Sequence, residues 1–139
     1  LIHEKIHIIQ RFNQERFNKF YISNYTFVKH IFKRRDYNLK KNYMNNPDSN
    51  NSLWIYNFNN IDYVVYLRHK NGKLNSIGRP IDNRYKKNID LDEVKIKLGY
   101  SNSISFYHPN EIFACHFTEQ LLNGKVSKEY SKFINSINF

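Results

Sequence analysis

Residues 1–17, LIHEKIHIIQRFNQERF, govern how the rest of the chain is read. Ile2, Ile6, Ile9, Phe17 and Phe20 recur near helical spacing, interrupted at Asn13, so the pattern predicts one amphipathic helix from Leu1 to about Lys19. His3 and His7, four residues apart, share one face of that helix, and Gln10 and Gln14 continue it. Glu4 directly follows the first histidine, which makes the segment H-E-x-x-H. Two imidazoles one turn apart can hold the same ion. Zinc takes about four ligands, and catalytic sites leave one position for a water whose pKa falls to about 7. A carboxylate beside that water can take its proton. The competing reading is two ordinary surface or half-buried histidines with Glu4 as their ion-pair partner.

The composition admits a folded enzyme. A chain of 139 residues with 40% hydrophobic and 17% aromatic content is the size of one domain and can bury a core. No internal repeat or linker divides it, so residues 1–139 read as a single domain. The single cysteine, Cys115, excludes an internal disulfide framework and a cysteine-based zinc knuckle, and suits a reducing, intracellular (cytoplasmic) setting. No apolar run is long enough to span a bilayer, and no signal-peptide pattern opens the sequence.

A net charge of +10 and a pI near 9.7 raise nucleic acid as a partner. The chain is also crowded with Asn, Lys, Ile, Tyr and Phe, residues of AT-rich codons, so nucleotide bias accounts for part of the excess. Its basic clusters, Lys33-Arg34-Arg35, Lys40-Lys41 and Lys86-Lys87, are short and scattered, as solvated faces usually are.

A second helix is expected from about Asn24 to Lys41, followed by a polar loop at Asn45–Ser52. Leu53–Tyr56 and Tyr63–Leu67 have strand chemistry, and Asn71-Gly72 is a hairpin turn leading into Lys73–Ile77. Gly78 to Lys87 reads as irregular. Asp90 and Glu93 form a capping box before Leu91, Val94 and Leu98. The best-defined helix opens at Pro109, has Glu111 in its first turn and stops at Asn123-Gly124. Ser127 caps a last helix with Tyr130, Phe133, Ile134 and Ile137 on its buried stripe.

A third metal ligand must come from outside the first helix. Gln10 and Asn13 stand where the metzincin extension needs Gly and His, which excludes that subclass. His30, His69, His108 and His116 remain, together with Glu111 in HPNEIFACHFTEQLL, the attractive choice because its helix is well capped. His108 leads into that helix, His116 is expected on an exposed face, and Cys115 is expected to be a small buried residue.

His3-Glu4-x-x-His7 followed by Asn110-Glu111-x-x-Ala114 resembles the zincin metallopeptidases of the gluzincin kind. The stretches HEKIHIIQR and HPNEIFA also look like small HExxH proteins of large DNA viruses. The resemblance implies that His3, His7 and Glu111 bind Zn2+, and that Glu4 acts as base and then acid in hydrolysing a peptide or protein substrate. It implies a small residue after Glu111 that lets the two helices approach. It also implies an α+β zincin-like fold, of which this chain is the mainly helical C-terminal part with a small hairpin or sheet insertion, the N-terminal sheet lying upstream. Cys115 stands where many gluzincins place an Asp, and Tyr85, Tyr100 and Tyr107 are the candidate transition-state stabilisers. A viral origin would put the protein inside a host cell. The alternative class is a basic nucleic-acid-binding or interaction module in which the motif is decayed.

Overall fold

A computed structural model describes residues 1–31 and 53–137, which form an α+β arrangement of five helices and one antiparallel five-stranded sheet. The opening helix is two helices, α1 (Ile2–Phe12) and α2 (Gln14–Asn24). Asn13 makes the break: its backbone leaves helical values at φ −135° and ψ 35°, while its side-chain amide donates to the Ile9 carbonyl at 2.9 Å. Its own carbonyl then accepts from Phe17 N and starts α2. One short polar residue thereby ends one helix and begins the next. The break lets α2 turn Phe17, Phe20 and Tyr21 fully inward.

The expected helix from Asn24 to Lys41 is corrected at its start. Tyr25 is extended, and Val28–Ile31 forms strand β1, paired antiparallel to β2 (Leu53–Phe58) with Val28 opposite Tyr56. Aromatic and β-branched residues here find a partner strand, which outweighs a weak helical rhythm. The remainder of that span and the Asn45–Ser52 loop lie outside the described residues. Asn59-Asn60, both at positive φ, turn β2 into β3 (Ile61–Lys70), and Asn71-Gly72 turns β3 into β4 (Lys73–Pro80) as the sequence indicated. β4 runs through Gly78 to Pro80, so the region read as irregular begins only after it. The two-residue β5 (Ile89–Asp90) completes the sequential order β1-β2-β3-β4-β5. The sheet is thus no small insertion. It lies within residues 28–90, downstream of the first two helices.

Asp90 ends β5 and caps α3 (Leu91–Lys97) by accepting from Asp92 N. Leu91 is buried as expected, but Leu98 is exposed and Lys95 takes the inward position. The Lys95 ammonium donates to the Asn102 and Ile104 carbonyls at 3.0 and 2.8 Å, and the Tyr56 hydroxyl donates to the Phe106 carbonyl at 2.8 Å. These bonds pin the segment that leads into α4 (Pro109–Leu122). Ser127 caps α5 (Lys128–Ser136) through Tyr130 N. Phe113 on α4 sits at the centre of an aromatic cluster with Phe17 and Phe20 of α2 and Tyr130 and Phe133 of α5. Tyr21 joins this cluster to Trp54 on the sheet. Such ring pairs add about 0.5–1.5 kcal/mol each beyond simple burial.

Candidate metal centre

α1 presents an unusual inward face. Its buried residues are Ile6, His7 and Gln10, while Ile2 and Ile8 are exposed. Buried polar groups need partners, and these find them on α4. The first turn of α4 is set by His108, whose Nδ1 accepts from Asn110 N at 3.0 Å, and by Pro109. This fixes Glu111 at the end facing α1. Ala114, one turn on, is fully buried, and α1 lies along α4 there.

The structure brings His3, His7 and Glu111 together. His7 Nε2 is 2.8 Å from Glu111 Oε1, His3 Nε2 is 3.3 Å from Glu111 Oε2, and the two Nε2 atoms are 2.9 Å apart. A tetrahedral zinc with bonds of about 2.05 Å separates its ligand atoms by about 3.3 Å. These distances, which run from the two imidazole nitrogens to both Glu111 oxygens, stand at or just inside that spacing, so a slight movement accommodates the ion. Their chemistry, two imidazole nitrogens and one carboxylate oxygen, suits zinc.

The outer partner of His7 is Gln10, and its hydrogen bonds decide the tautomer. Gln10 Nε2 is 2.9 Å from the Asn110 carbonyl, which can only accept, so the amide nitrogen must point there. It also donates to the Tyr21 hydroxyl at 3.0 Å, which in turn donates to Asn110 Oδ1 at 2.7 Å. Gln10 Oε1 therefore faces His7 Nδ1 at 2.8 Å and accepts its proton. The remaining nitrogen, Nε2, is left with its lone pair turned toward a carboxylate and a second imidazole. A proton or a metal ion shared with Glu111 relieves that arrangement.

The electrostatics agree. The hydrogen bond to Glu111 is the largest influence on His7 and raises its pKa, against burial and with help from the charges of Glu111 and Glu4. Burial pushes the Glu111 carboxyl up, but hydrogen bonding and charge from His7, the charge of His3 and a hydrogen bond from Tyr107 outweigh it and hold it below the ordinary value. Of the three candidate tyrosines, Tyr107 therefore reaches the site. Tyr100 packs on Phe106 and His116, and Tyr85 is exposed. Glu4 is exposed one residue after His3 and has no hydrogen-bond or ion-pair partner among the described residues. Cys115 is half-buried, with Sγ 3.9 Å from His3 Nδ1.

The other histidines go elsewhere. His69 is exposed on β3, and His30 lies on β1, where its backbone pairs with Trp54. His108 is the buried α4 cap. The expectation of an exposed His116 is corrected. Gln120 Oε1 accepts from Ser127 N, so its amide nitrogen donates to His116 Nε2 at 3.2 Å. His116 Nδ1 must then donate to the Tyr130 hydroxyl at 2.8 Å, which shares a further hydrogen bond with the Tyr25 hydroxyl at 2.8 Å. His116 is a half-buried neutral link between α4, α5 and Tyr25, just after α2. Among the described residues, the three-ligand cluster consists of His3, His7 and Glu111.

Tyr21 and Asn110 were missed as site residues. Asn110 stands beside Glu111 in the motif, and that adjacency was its only signal; Tyr21 had none. Among the described residues no helix is long and apolar enough to cross a membrane. No protein-family model, curated protein or solved structure matches this chain.

Proposed function

We propose that this chain is a zinc-dependent metallopeptidase of zincin-like, gluzincin-type design, acting on peptides or proteins. The observation that supports it best is the meeting of His3, His7 and Glu111 from two helices far apart in sequence, with the His7 tautomer fixed by Gln10 so that Nε2 faces the shared point. His3 Nε2, His7 Nε2 and a Glu111 oxygen would hold the ion. When bound, zinc supplies Lewis-acid stabilisation of developing negative charge and acidifies a water.

The chain's own groups do the rest. Glu4, exposed and without an ion-pair partner among the described residues, accepts the water proton on a carboxylate oxygen and returns it to the leaving amine. The Tyr107 hydroxyl keeps the Glu111 carboxylate oriented and ionised. Gln10, Tyr21 and Asn110 hold the His7 ring against rotation.

The test is bound zinc and peptide turnover, with Glu4→Gln as the deciding variant. One zinc per chain with turnover lost in Glu4→Gln supports the scheme; turnover unchanged in that variant ends it. The competing reading, a basic nucleic-acid or interaction module, rests on the net charge of +10. It expects no stoichiometric zinc and DNA affinity that falls steeply with salt.

A further inference from the structure

Beside the metal cluster, on the His3 side, lies a cavity of about 310 Å3 lined by His3, Ser103, Cys115, Thr118, Glu119 and Leu122, among others. It shares the His3 ring with the cluster, so anything filling it touches a residue of the site. Ligand pockets run from about 300 to 1,000 Å3, and one at the small end takes a single long side chain. Its walls are of two kinds. Leu122 and Cys115 are apolar, and α4 sets Glu119 on the same wall, one turn beyond Cys115.

Glu119 is held in place. Its Oε2 accepts from the Ser101 hydroxyl at 2.6 Å and from the Ser103 hydroxyl at 2.7 Å. Its Oε1 takes no hydrogen bond, and no Lys or Arg pairs with it among the described residues. The two serine hydrogen bonds also keep the carboxyl below its ordinary pKa, so it is an anion at neutral pH. In the same wall the buried Thr118 hydroxyl lacks a hydrogen-bond partner among the described residues. An oriented carboxylate with an open oxygen, lining one cavity with Leu122 and Cys115, matches a side chain with an aliphatic stem and a cationic head. In a chain of net charge +10, general attraction favours acidic peptides, so a fixed local anion is what would select a basic one.

We propose that this cavity receives one lysine or arginine side chain of the substrate, next to the bond to be cut, with Glu119 as the selecting carboxylate. The inference rests on the metallopeptidase reading for the position of that bond.

Binding tests it apart from turnover. The Glu4→Gln protein, with and without added zinc, is titrated with fluorescent hexapeptides that differ at one central position: Lys, norleucine or Glu. The Lys peptide should bind about tenfold or more tightly than norleucine, which keeps most of the stem but lacks the charge. Adding Glu119→Gln should bring the two within about twofold, and Glu119→Lys should move the preference to the Glu peptide. Equal affinity for Lys and norleucine, a Lys preference that survives Glu119→Gln, or no binding of any peptide overturns the proposal. Turnover by the unaltered chain without a Glu119-dependent preference removes the subsite and leaves the peptidase reading. A Glu119-dependent preference without turnover removes the peptidase reading and leaves the subsite.

Discussion

Replacing Gln10 with methionine, nearly equal in volume and unable to hydrogen-bond as an amide, isolates the polar contribution of one side chain that touches no metal. Gln10→Met deletes the bonds to His7 Nδ1, the Tyr21 hydroxyl and the Asn110 carbonyl, at 2.8, 3.0 and 2.9 Å. All three partners stay buried or nearly so. A buried polar group left without a partner costs about 1–3 kcal/mol. The Tyr21 hydroxyl keeps its bond to Asn110 Oδ1 and the Asn110 carbonyl keeps its intrahelical bond, so the full penalty falls mainly on His7 Nδ1. Metal-free stability should therefore drop by about 1–3 kcal/mol, read by urea unfolding in the presence of a chelator. Zinc affinity should fall by a further 10- to 100-fold, the usual effect of losing the outer partner of a histidine ligand. Competition against a chromophoric chelator measures it, on protein shown to be folded. Affinity within about twofold of the parent would falsify the argument that Gln10 sets the His7 tautomer.

Other perturbations separate the parts of the site. Glu111→Ala should lower zinc affinity by more than the roughly 100-fold ceiling of outer-partner changes. His108→Ala, which removes the α4 cap together with a buried ring packed edge-on against Trp54, should cost more stability than the roughly 1 kcal/mol of a lost cap yet weaken zinc less than Glu111→Ala; chelator competition on both variants ranks them. Burial holds His116 below its ordinary pKa of 6.5, with Glu119 opposing, so the unfolded chain binds the proton more readily. Its contribution to stability is complete above pH 6.5 and is lost as pH falls below that toward the folded value. His7 in the metal-free protein is shifted upward and has the opposite sign, so parent and His116→Asn must be compared directly. Urea midpoints at about pH 7.5 and 5.5 should fall more in the parent, and equal falls refute the assignment. Gly72→Ala, at φ +74° with open space around the added Cβ, should cost about 1 kcal/mol through backbone strain alone, seen as a melting temperature several degrees lower.

What the sequence revealed was local. Pro109, Glu111, Asn123-Gly124, Ser127 and Asn71-Gly72 act within a turn or two, and each stands in the element it announced. The chemical grouping of His3, His7 and Glu111 was legible for the same reason: i,i+4 spacing and a capped first turn need no distant partner. What stayed hidden depends on pairing across the chain. β1 exists because Val28–Ile31 meets Leu53–Tyr56, and no window of sequence contains both. The inward face of α1 inverts the usual rule, burying His7 and Gln10 while Ile2 and Ile8 face solvent. Apolar periodicity cannot anticipate that, because Tyr21 and Asn110 satisfy those polar groups from other helices. His116 was misplaced likewise: Tyr130, which binds its Nδ1, is supplied by the packing of α5 against α4.

The bond from Gln10 to Asn110, immediately before Glu111, ties the two ligand-bearing helices at the one place where an ion would join them. An ion held by His7 and Glu111 would close a loop of roughly 100 residues, enclosing the entire sheet, and a covalent cross-link of that span is worth about 4–5 kcal/mol in chain entropy. Metal there would work as a removable staple. Chelation would then unlock the chain's architecture along with its chemistry, so that a molecule stripped of metal becomes the one most open to unfolding and proteolysis.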